Sequence, residues 1–381
     1  MSAHPVITPP AMLGIVGGGQ LGRYFVMAAR TMGYRVTVLE PDPTSPAGTI
    51  ADVHIVAPYD DTDALDQLAA TCAVVTIEFE NAPASALATI AHRTTVHPSP
   101  HSIAICQDRI AEKQFLEEIG APVGPYVTVV DDATLEAAAD FSYPAILKTA
   151  RNGYDGKGQV TCADHDEVTA AWGQLGKVPC VLEQKLPLDR ELSVVLARTA
   201  DGRLASYAVS QNQHLRGVLD VSHTPAYLPP GAPEAAIDLC TYIATELKFV
   251  GTMAVEMFVV GNDVYVNELA PRPHNSGHYT LDTCNTSQFE QQVRAICGLA
   301  LGETELLVKG VAMANLMGDM WEHGEPDWSR ILSNAAAHLH LYGKSEARPG
   351  RKMGHVTVIT GTAMGAAELA RRLRRQATPP T

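Results

Sequence analysis

The sequence predicts an α/β unit, then an α+β unit, then a short β-rich tail. From Met12 to about residue 110, short apolar runs alternate with helical stretches, the pattern of a parallel sheet with right-handed crossovers. Beyond Arg109 the chain turns to glycine-punctuated hairpins, clearest in MAVEMFVVGNDVYVNELA (253–270). Past residue 309, VAMANLMG, AAHLHLYG and HVTVIT alternate with turns. Boundaries near 110 and 308 give units at 11–110, 111–308 and 309–366.

Taken in order, MLGIV reads as a strand that ends in GGGQLG and opens a helix to about Met32. RVTVLE, HIVAP and AVVTIEFEN read as further strands, with a helix over 62–70. DRIAEKQFLEEIG is a helix leading into the second unit. YPAILKTARNGYDGKGQVTC has strand character on both sides of a glycine loop. VPCVLEQKL and RELSVVLARTADGRLASYAVSQN follow, with a turn at Asp201-Gly202. Residues after Asn212 read as a loop before a helix over 233–247. A further helix spans 287–300.

Composition narrows the function classes. The 381 residues carry a formal charge of −14, and 46% are hydrophobic. Such a chain can bury a core, and it lacks the positive field that holds a nucleic-acid backbone. The seven cysteines are scattered without a C-x-x-C, which predicts free thiols rather than disulfides or a thiolate zinc site. MSAHPVITPPAM lacks the basic and apolar regions of a secretory signal, and no apolar run suits a membrane span. The expectation is a soluble cytoplasmic protein. Arg371, Arg372, Arg374 and Arg375 read as a solvated basic helix end.

Gly17, Gly19 and Gly22 match G-x-G-x-x-G between a strand and a helix, and Glu40 ends the next strand where a ribose-binding acid would stand. Glycines there let backbone N–H groups approach a phosphate. The motif indicates an anion more securely than which anion: a dinucleotide, another phosphate, or none.

The hairpin at 253–270 is more informative. If Gly261-Asn262-Asp263 closes it, Val260 pairs with Val264, Phe258 with Val266 and Glu256 with Glu268. The two carboxylates then share a face within about 5 Å at Cβ, where like charges destabilise a ladder. Either one proton is shared or a hard divalent cation sits between them. Asn267 could add an amide oxygen if the strand end distorts.

Lys148 ends the strand PAILK, and the loop Gly153-Tyr154-Asp155-Gly156-Lys157-Gly158-Gln159 follows it without matching the Walker pattern. Glu183-Gln184-Lys185-Leu186 ends the next strand. A strand lysine, a glycine loop, a strand-end EQKL and a two-glutamate hairpin, in that order, resemble the ATP-grasp superfamily. In detail GGGQLGR, EFEN, NGYDGKGQ, NELAPRPHNSGHYT and RPGRKMGH are similar to the signatures of the N5-carboxyaminoimidazole ribonucleotide synthase family. The resemblance runs from the first strand to about residue 360.

The resemblance implies an ATP-grasp fold behind an N-terminal Rossmann-like domain, with a flexible lid lobe at about 145–205 and a small C-terminal β-rich domain. It implies a ligase of purine biosynthesis that activates bicarbonate as carboxyphosphate with ATP and carboxylates 5-aminoimidazole ribonucleotide. ATP contacts fall on Arg109, Lys148, Gly153, Tyr154, Asp155, Gly156, Lys157, Gly158, Gln159, Glu183, Gln184, Lys185, Leu186, Glu191, His214, Asn267 and Glu268. Glu183 and Leu186 would read the adenine edge through backbone groups, and Glu191 would accept the ribose hydroxyls. Glu256 and Glu268 would hold magnesium, as two ions. Catalytic groups would be Tyr154, Asp155, Arg272, His274, Asn275 and Ser276. The ribonucleotide would take Gly19, Gln20, Leu21, Lys344, Arg351 and Lys352, with Glu78 on its ribose; Glu80 is a weaker candidate. The family also implies a homodimer.

Three rivals stand beside this reading. A formate-dependent glycinamide ribonucleotide formyltransferase typically ends the metal hairpin region in HDTG, where this chain has His274-Asn275-Ser276-Gly277-His278. A dinucleotide oxidoreductase rests on Gly17, Gly19 and Gly22 and leaves the glutamate hairpin unexplained. A non-catalytic ribonucleotide-binding module would need a broken ATP site, yet Lys148, Glu256 and Glu268 are all present.

Overall fold

The computed structural model describes residues 6–153 and 157–380. Strands β1 (Met12–Val16), β2 (Arg35–Leu39), β3 (Val53–Ile55), β4 (Val74–Ile77) and β5 (Thr95–Val96) form a parallel sheet in the order β3-β2-β1-β4-β5. The strand order reverses between β1 and β4. The loops that follow these two strands therefore face each other across the crevice where open α/β sheets bind ligands. The helix Gln20–Thr31 buries Phe25, Val26 and Ala29 against Leu13, Ile15, Val36 and Val38 of this sheet.

β6 (Tyr126–Val129), β7 (Ala145–Thr149), β8 (Gln159–Cys162) and β9 (Cys180–Gln184) make a small antiparallel sheet in the order β6-β9-β7-β8. This lobe thus spans 126–184 rather than about 145–205. The next strand has nine residues and pairs along its whole length with the glutamate hairpin, so it belongs to another sheet.

That sheet contains β10 (Arg190–Arg198), β11 (Leu204–Ser206), β12 (Ser210–Leu215), β13 (Val218–Thr224), β14 (Gly251–Val260), β15 (Asp263–Ala270), β16 (Gly310–Met317), β17 (Ala337–Leu341) and β18 (Lys352–Thr360). Its order is β15-β14-β10-β12-β13-β16-β18-β17, with β11 paired to β10. The β-rich tail therefore extends the central sheet through the β13–β16 pairing. β13 falls where the sequence reads as a loop. One extra residue, Asp220, interrupts its alternation: Gln213 pairs with Val221, but His214 pairs with Leu219.

Alternation gives the large sheet two unlike faces. Leu192, Val194, Met253, Val255 and Met257 pack under the helix Ala232–Glu246. Val221, Ala312, Ala314, Val356 and Val358 pack under the helix Ala363–Ala377. The opposite face carries Glu191, Ser193, Asn212, Glu256 and Glu268, which cross-strand register brings together. The arginine-rich end is not simply a solvated one. Arg374 Nη1 lies 2.6 Å from Asp220 and donates to the Asn315 carbonyl, and Arg371 donates to Gln213. Helix and sheet are close enough for ion pairing because small residues such as Ala366 and Ala370 line the contact. All seven cysteines are free thiols.

Gly310 marks how tight that contact is: a Cβ there would lie 2.2 Å from the Ala363 nitrogen and the Thr362 carbonyl carbon. Gly310→Ala should lift the helix start off β16 and cost about 1–3 kcal/mol, read as a lower thermal midpoint. An unchanged midpoint would show that the contact yields freely.

Candidate active site

Glu256 and Glu268 are cross-strand partners, as expected, but by a different register. The turn is two residues, Gly261-Asn262, with Gly261 at φ 61°. Val260 pairs with Asp263 and Met257 with Val266; a bulge at Asn267 then restores the glutamate pair. The glutamates have unlike surroundings. Burial pushes the Glu256 carboxyl up, but the His274 hydrogen bond and the nearby His214 and Lys352 side chains outweigh this and hold it at about 2. Glu268 is raised by burial and by Glu256, against the opposing charge of Arg109 at 3.4 Å. It faces an open cleft, its side chain 41% accessible. Two carboxylates on one face suit a hard divalent cation, which takes oxygen ligands.

The helix Arg109–Glu118 forms one wall, capped by Asp108. Arg109 donates to Glu268 and to the Gly153 and Thr149 carbonyls, tying the hairpin to the β7–β8 loop. Lys148 donates to Glu183 at 2.9 Å, and Lys113 lies 3.8 Å from the same oxygen. Burial raises the Glu183 carboxyl, but Lys148 and Lys113 overcome it, so the net shift is downward. Glu183 thus spends its side chain on two lysines while its strand lies between β6 and β7. Gln184 and Lys185 donate their backbone N–H groups to Pro125 and Pro144. Gly158 donates no side chain and sits at φ 70°, with its carbonyl bonded to Thr149 N–H, so it closes the hairpin that leads to Gln159 and Lys157. Tyr154, Asp155 and Gly156 lie outside the described residues. Glu191 and His214 form an ion pair farther along the same face.

Lys113 and Glu112 belong to this wall and were missed. Glu112 accepts from Leu269 N–H at 2.9 Å, and burial followed by the Glu268 charge pushes its carboxyl up to about 8. Their signal is in the sequence: Arg109, Glu112 and Lys113 stand at i, i+3 and i+4 on a helix face that also buries Leu116.

The glycine loop faces anions, but they are the protein's own. Gly18 N–H donates to Glu40 at 2.8 Å; Gly19 and Gly22 donate to the two oxygens of Glu78. Gly17 has φ 103°, and a Cβ there would meet Glu78 at 2.4 Å. Glu40 also accepts from Tyr59, so it is part of the loop's scaffold. Gln20 and Leu21 begin the helix. Lys344 donates to the Lys352 carbonyl and Arg351 to that of Glu346, and the Lys344 charge reaches Glu78.

Beyond the glutamate hairpin, Arg272 pairs with Glu80 in the loop after β4, and His274 Nε2 lies 3.1 Å from Glu256. Behind His274 runs a chain of buried donors: Ser222 to Asn212, Asn212 to Ser193, Ser193 to Ser276, which meets His274 Nδ1 at 2.8 Å. Ser276 N–H also donates to Nδ1, which leaves the proton on Nε2, facing Glu256. Asn275 exchanges hydrogen bonds with Asn315. Ser276 and Asn275, expected among the catalytic groups, are both buried; Ser276 meets His274 and Asn275 meets Asn315. Another cluster, Asp282, His340 and His355, has its two imidazole rings stacked 10° from parallel. Ring nitrogen lone pairs lie in the ring plane, so stacked rings do not converge on one ion.

Residues 11–107 match the ribonucleotide synthetase preATP-grasp domain, 114–289 the ATP-grasp domain, and 311–369 the phosphoribosylaminoimidazole carboxylase C-terminal domain. The chain is 42% identical over 356 residues to N5-carboxyaminoimidazole ribonucleotide synthase of Bacillus subtilis, covering 93% of both chains. It is 44% identical over 357 residues to the Brucella melitensis enzyme of that name, covering 93% of this chain and 97% of the relative. A crystal structure of an N5-carboxyaminoimidazole ribonucleotide synthetase in complex with ADP superposes with a TM-score of 0.91 at 42% identity, over 98% of both chains. The Aspergillus clavatus synthase bound to ADP and 5-aminoimidazole ribonucleotide superposes with a TM-score of 0.87 at 30% identity, over 96% of this chain and 98% of that one. The oxidoreductase reading of the glycine loop falls with these matches. The chain belongs to the N5-carboxyaminoimidazole ribonucleotide synthase family of ATP-grasp ligases.

Proposed function

We propose that the chain carboxylates 5-aminoimidazole ribonucleotide with bicarbonate, at the expense of ATP, to N5-carboxyaminoimidazole ribonucleotide, ADP and phosphate. The observation that carries this is the pair Glu256 and Glu268 on a bulged hairpin, with His274 on one side and Arg109 on the other. Phosphoryl transfer asks for positioning and charge neutralisation more than for covalent help from protein. A bicarbonate oxygen takes the terminal phosphoryl group as its bond to ADP breaks, giving carboxyphosphate. The exocyclic amine then forms a C–N bond to the carboxyl carbon, phosphate leaves, and the amine gives up a proton.

Lys148 and Arg109 offset phosphate charge, the 153–159 loop covers the phosphates, and Glu183 through Leu186 border the adenine. Glu191 and His214 take the ribose of ATP. Magnesium held by Glu256 and Glu268, with Asn267 beside them, would neutralise the charge of the phosphoryl group in transfer. Arg272 suits bicarbonate and carboxyphosphate, since a planar guanidinium offers paired donors to a planar anion. His274 keeps Glu256 in place, and Asp155, next to Tyr154, orients the attacking amine. The ribonucleotide lies between Gly19, Gln20 and Leu21 and the cations Lys344, Arg351 and Lys352, with its ribose on Glu78. Because Glu78 already engages the Gly19 and Gly22 amides, the phosphate relies on the Gln20 and Leu21 end of the loop and on the cations. Free thiols fit a cytoplasmic setting, and a homodimer is the assembly we propose.

ADP release should require bicarbonate, 5-aminoimidazole ribonucleotide and magnesium together, measured by omitting each in turn; release indifferent to the ribonucleotide refutes the assignment. Glu268→Gln should lower turnover by about a hundredfold or more while the protein stays folded, as removal of a phosphoryl-site cation ligand does. Full activity in that variant would remove the hairpin from the site. Burial raises Glu80, but the charge and hydrogen bond of Arg272 hold it at about 2. A depressed carboxyl contributes stability above its unfolded value of about 4.3 and loses it as pH falls toward about 2. Glu80→Gln should therefore cost on the order of 2–3 kcal/mol at pH 7. The gap in thermal midpoint should shrink between pH 6 and pH 3, and a gap that stays constant would contradict the pairing.

A further inference from the structure

The C-terminal helix Ala363–Ala377 lies on the face of the large sheet opposite the site, yet it grips the part of the sheet that presents His214. β13 carries one residue more than β12 between Val221 and Leu219. That residue, Asp220, turns to the helix side together with its neighbour Val221, which packs in the helix core. Two successive side chains on one face mark a bulge, and bulges re-aim the residues beside them. Here the residue beside it is His214, the first residue of β12 past the register shift.

Every flank of the bulge is tied down. Arg374 Nη1 holds Asp220 at 2.6 Å and the Asn315 carbonyl at 2.9 Å. The Asn315 amide donates to the Leu219 carbonyl at 2.7 Å. Arg371 donates to Gln213, the residue before His214. Asp220 and Arg374 are each under one-fifth accessible at the side chain, so the pair is shielded from solvent rather than a loose surface contact. On the other face His214 meets Glu191, which comes from β10, a strand the helix does not hold. Without the bulge, His214 would pair with residue 220 instead of Leu219, and its distance to Glu191 would change.

We infer that Arg371 and Arg374 are positioning residues for nucleotide binding: from behind the sheet they fix the Asp220 bulge and so set His214 against Glu191. This rests on the reading of Glu191 and His214 as contacts to the ATP ribose.

The test compares Michaelis constants for ATP and for 2′,3′-dideoxy-ATP, which has no ribose hydroxyls to engage Glu191. It uses the full-length wild type, Asp220→Asn, Arg374→Gln, Arg374→Lys and His214→Ala. Asp220→Asn and Arg374→Gln should raise KM for ATP about tenfold, the worth of one charge-assisted hydrogen bond. The constant for the dideoxy nucleotide and kcat should stay within about twofold, because the phosphate site is untouched. Arg374→Lys should fall between wild type and Arg374→Gln, since an ammonium can keep Asp220 but cannot also span to Asn315. Turnover of the dideoxy nucleotide in the same sample reports the folded fraction, so misfolding cannot imitate the result. Equal effects on both nucleotides, or none on ATP, would overturn the inference. If His214→Ala erases the preference for ATP while the Asp220 and Arg374 variants keep it, the inference alone fails. If His214→Ala keeps the preference, the ribose reading fails and takes the inference with it.

Discussion

Two carboxylates facing each other on the inner side of a sheet are the constraint around which the rest of the site is arranged. Like charges opposed across a ladder are unfavourable, and burial makes them more so. Each glutamate is given its own compensation. Glu256 receives His274, backed by a chain of buried hydroxyl and amide donors that runs across three strands to Ser222. Glu268 receives Arg109 from the helix in front of it and keeps an open side toward the cleft. The helix Arg109–Glu118, the β7–β8 loop and the segment after β15 all converge on this one place because each supplies part of that balance.

The anionic chain recognises anions without a general positive field. Cations are local and already engaged: Lys148 and Lys113 with Glu183, Arg272 with Glu80. Even the glycine loop, whose N–H groups are suited to a phosphate, is filled by Glu40 and Glu78. These internal pairs hold the donors in place in the absence of substrate. A phosphate then meets groups whose orientation has been set in advance, which lowers the entropy cost of binding.

Two bulges do much of the aiming. At Asn267 the extra residue lets a two-residue turn and the Glu256–Glu268 pairing coexist on one hairpin. At Asp220 the extra residue sits between the C-terminal helix and His214. At Asn267 a regularly alternating ladder would send Glu268 to the apolar side; at Asp220 the bulge itself puts a carboxylate on the helix side, where Arg374 meets it. The sheet can therefore keep one face for helix packing and the other for chemistry across nine strands that come from distant parts of the chain.

Much of this was legible in the linear order of residues. Alternation of apolar runs and helical stretches predicted the first sheet, and a clean β-hairpin with two glutamates predicted the face on which Glu256 and Glu268 meet. The motifs NGYDGKGQ and NELAPRPHNSGH identified the family, because chemistry requires those residues in that spacing. Alternation and turn signals are local, and so are motifs. What lay beyond them was set by contacts between segments far apart. The VLDVSHT strand was hidden because a bulge breaks its period, and a bulge is visible only when its partner strand is known. The hairpin turn was one residue shorter than expected, and only the long-range pull of the glutamate pair and Asn267 restores the register. Arg374 read as a solvated terminus because nothing local announces Asp220, 154 positions earlier, as its partner. The anions of the glycine loop are Glu40 and Glu78 because the switch in strand order brings the ends of β2 and β4 to the end of β1. Sequence alone determined which chemical groups the protein has and the local elements that carry them. Tertiary structure decided which groups face each other, since that depends on strand order and register, to which residues far apart contribute together.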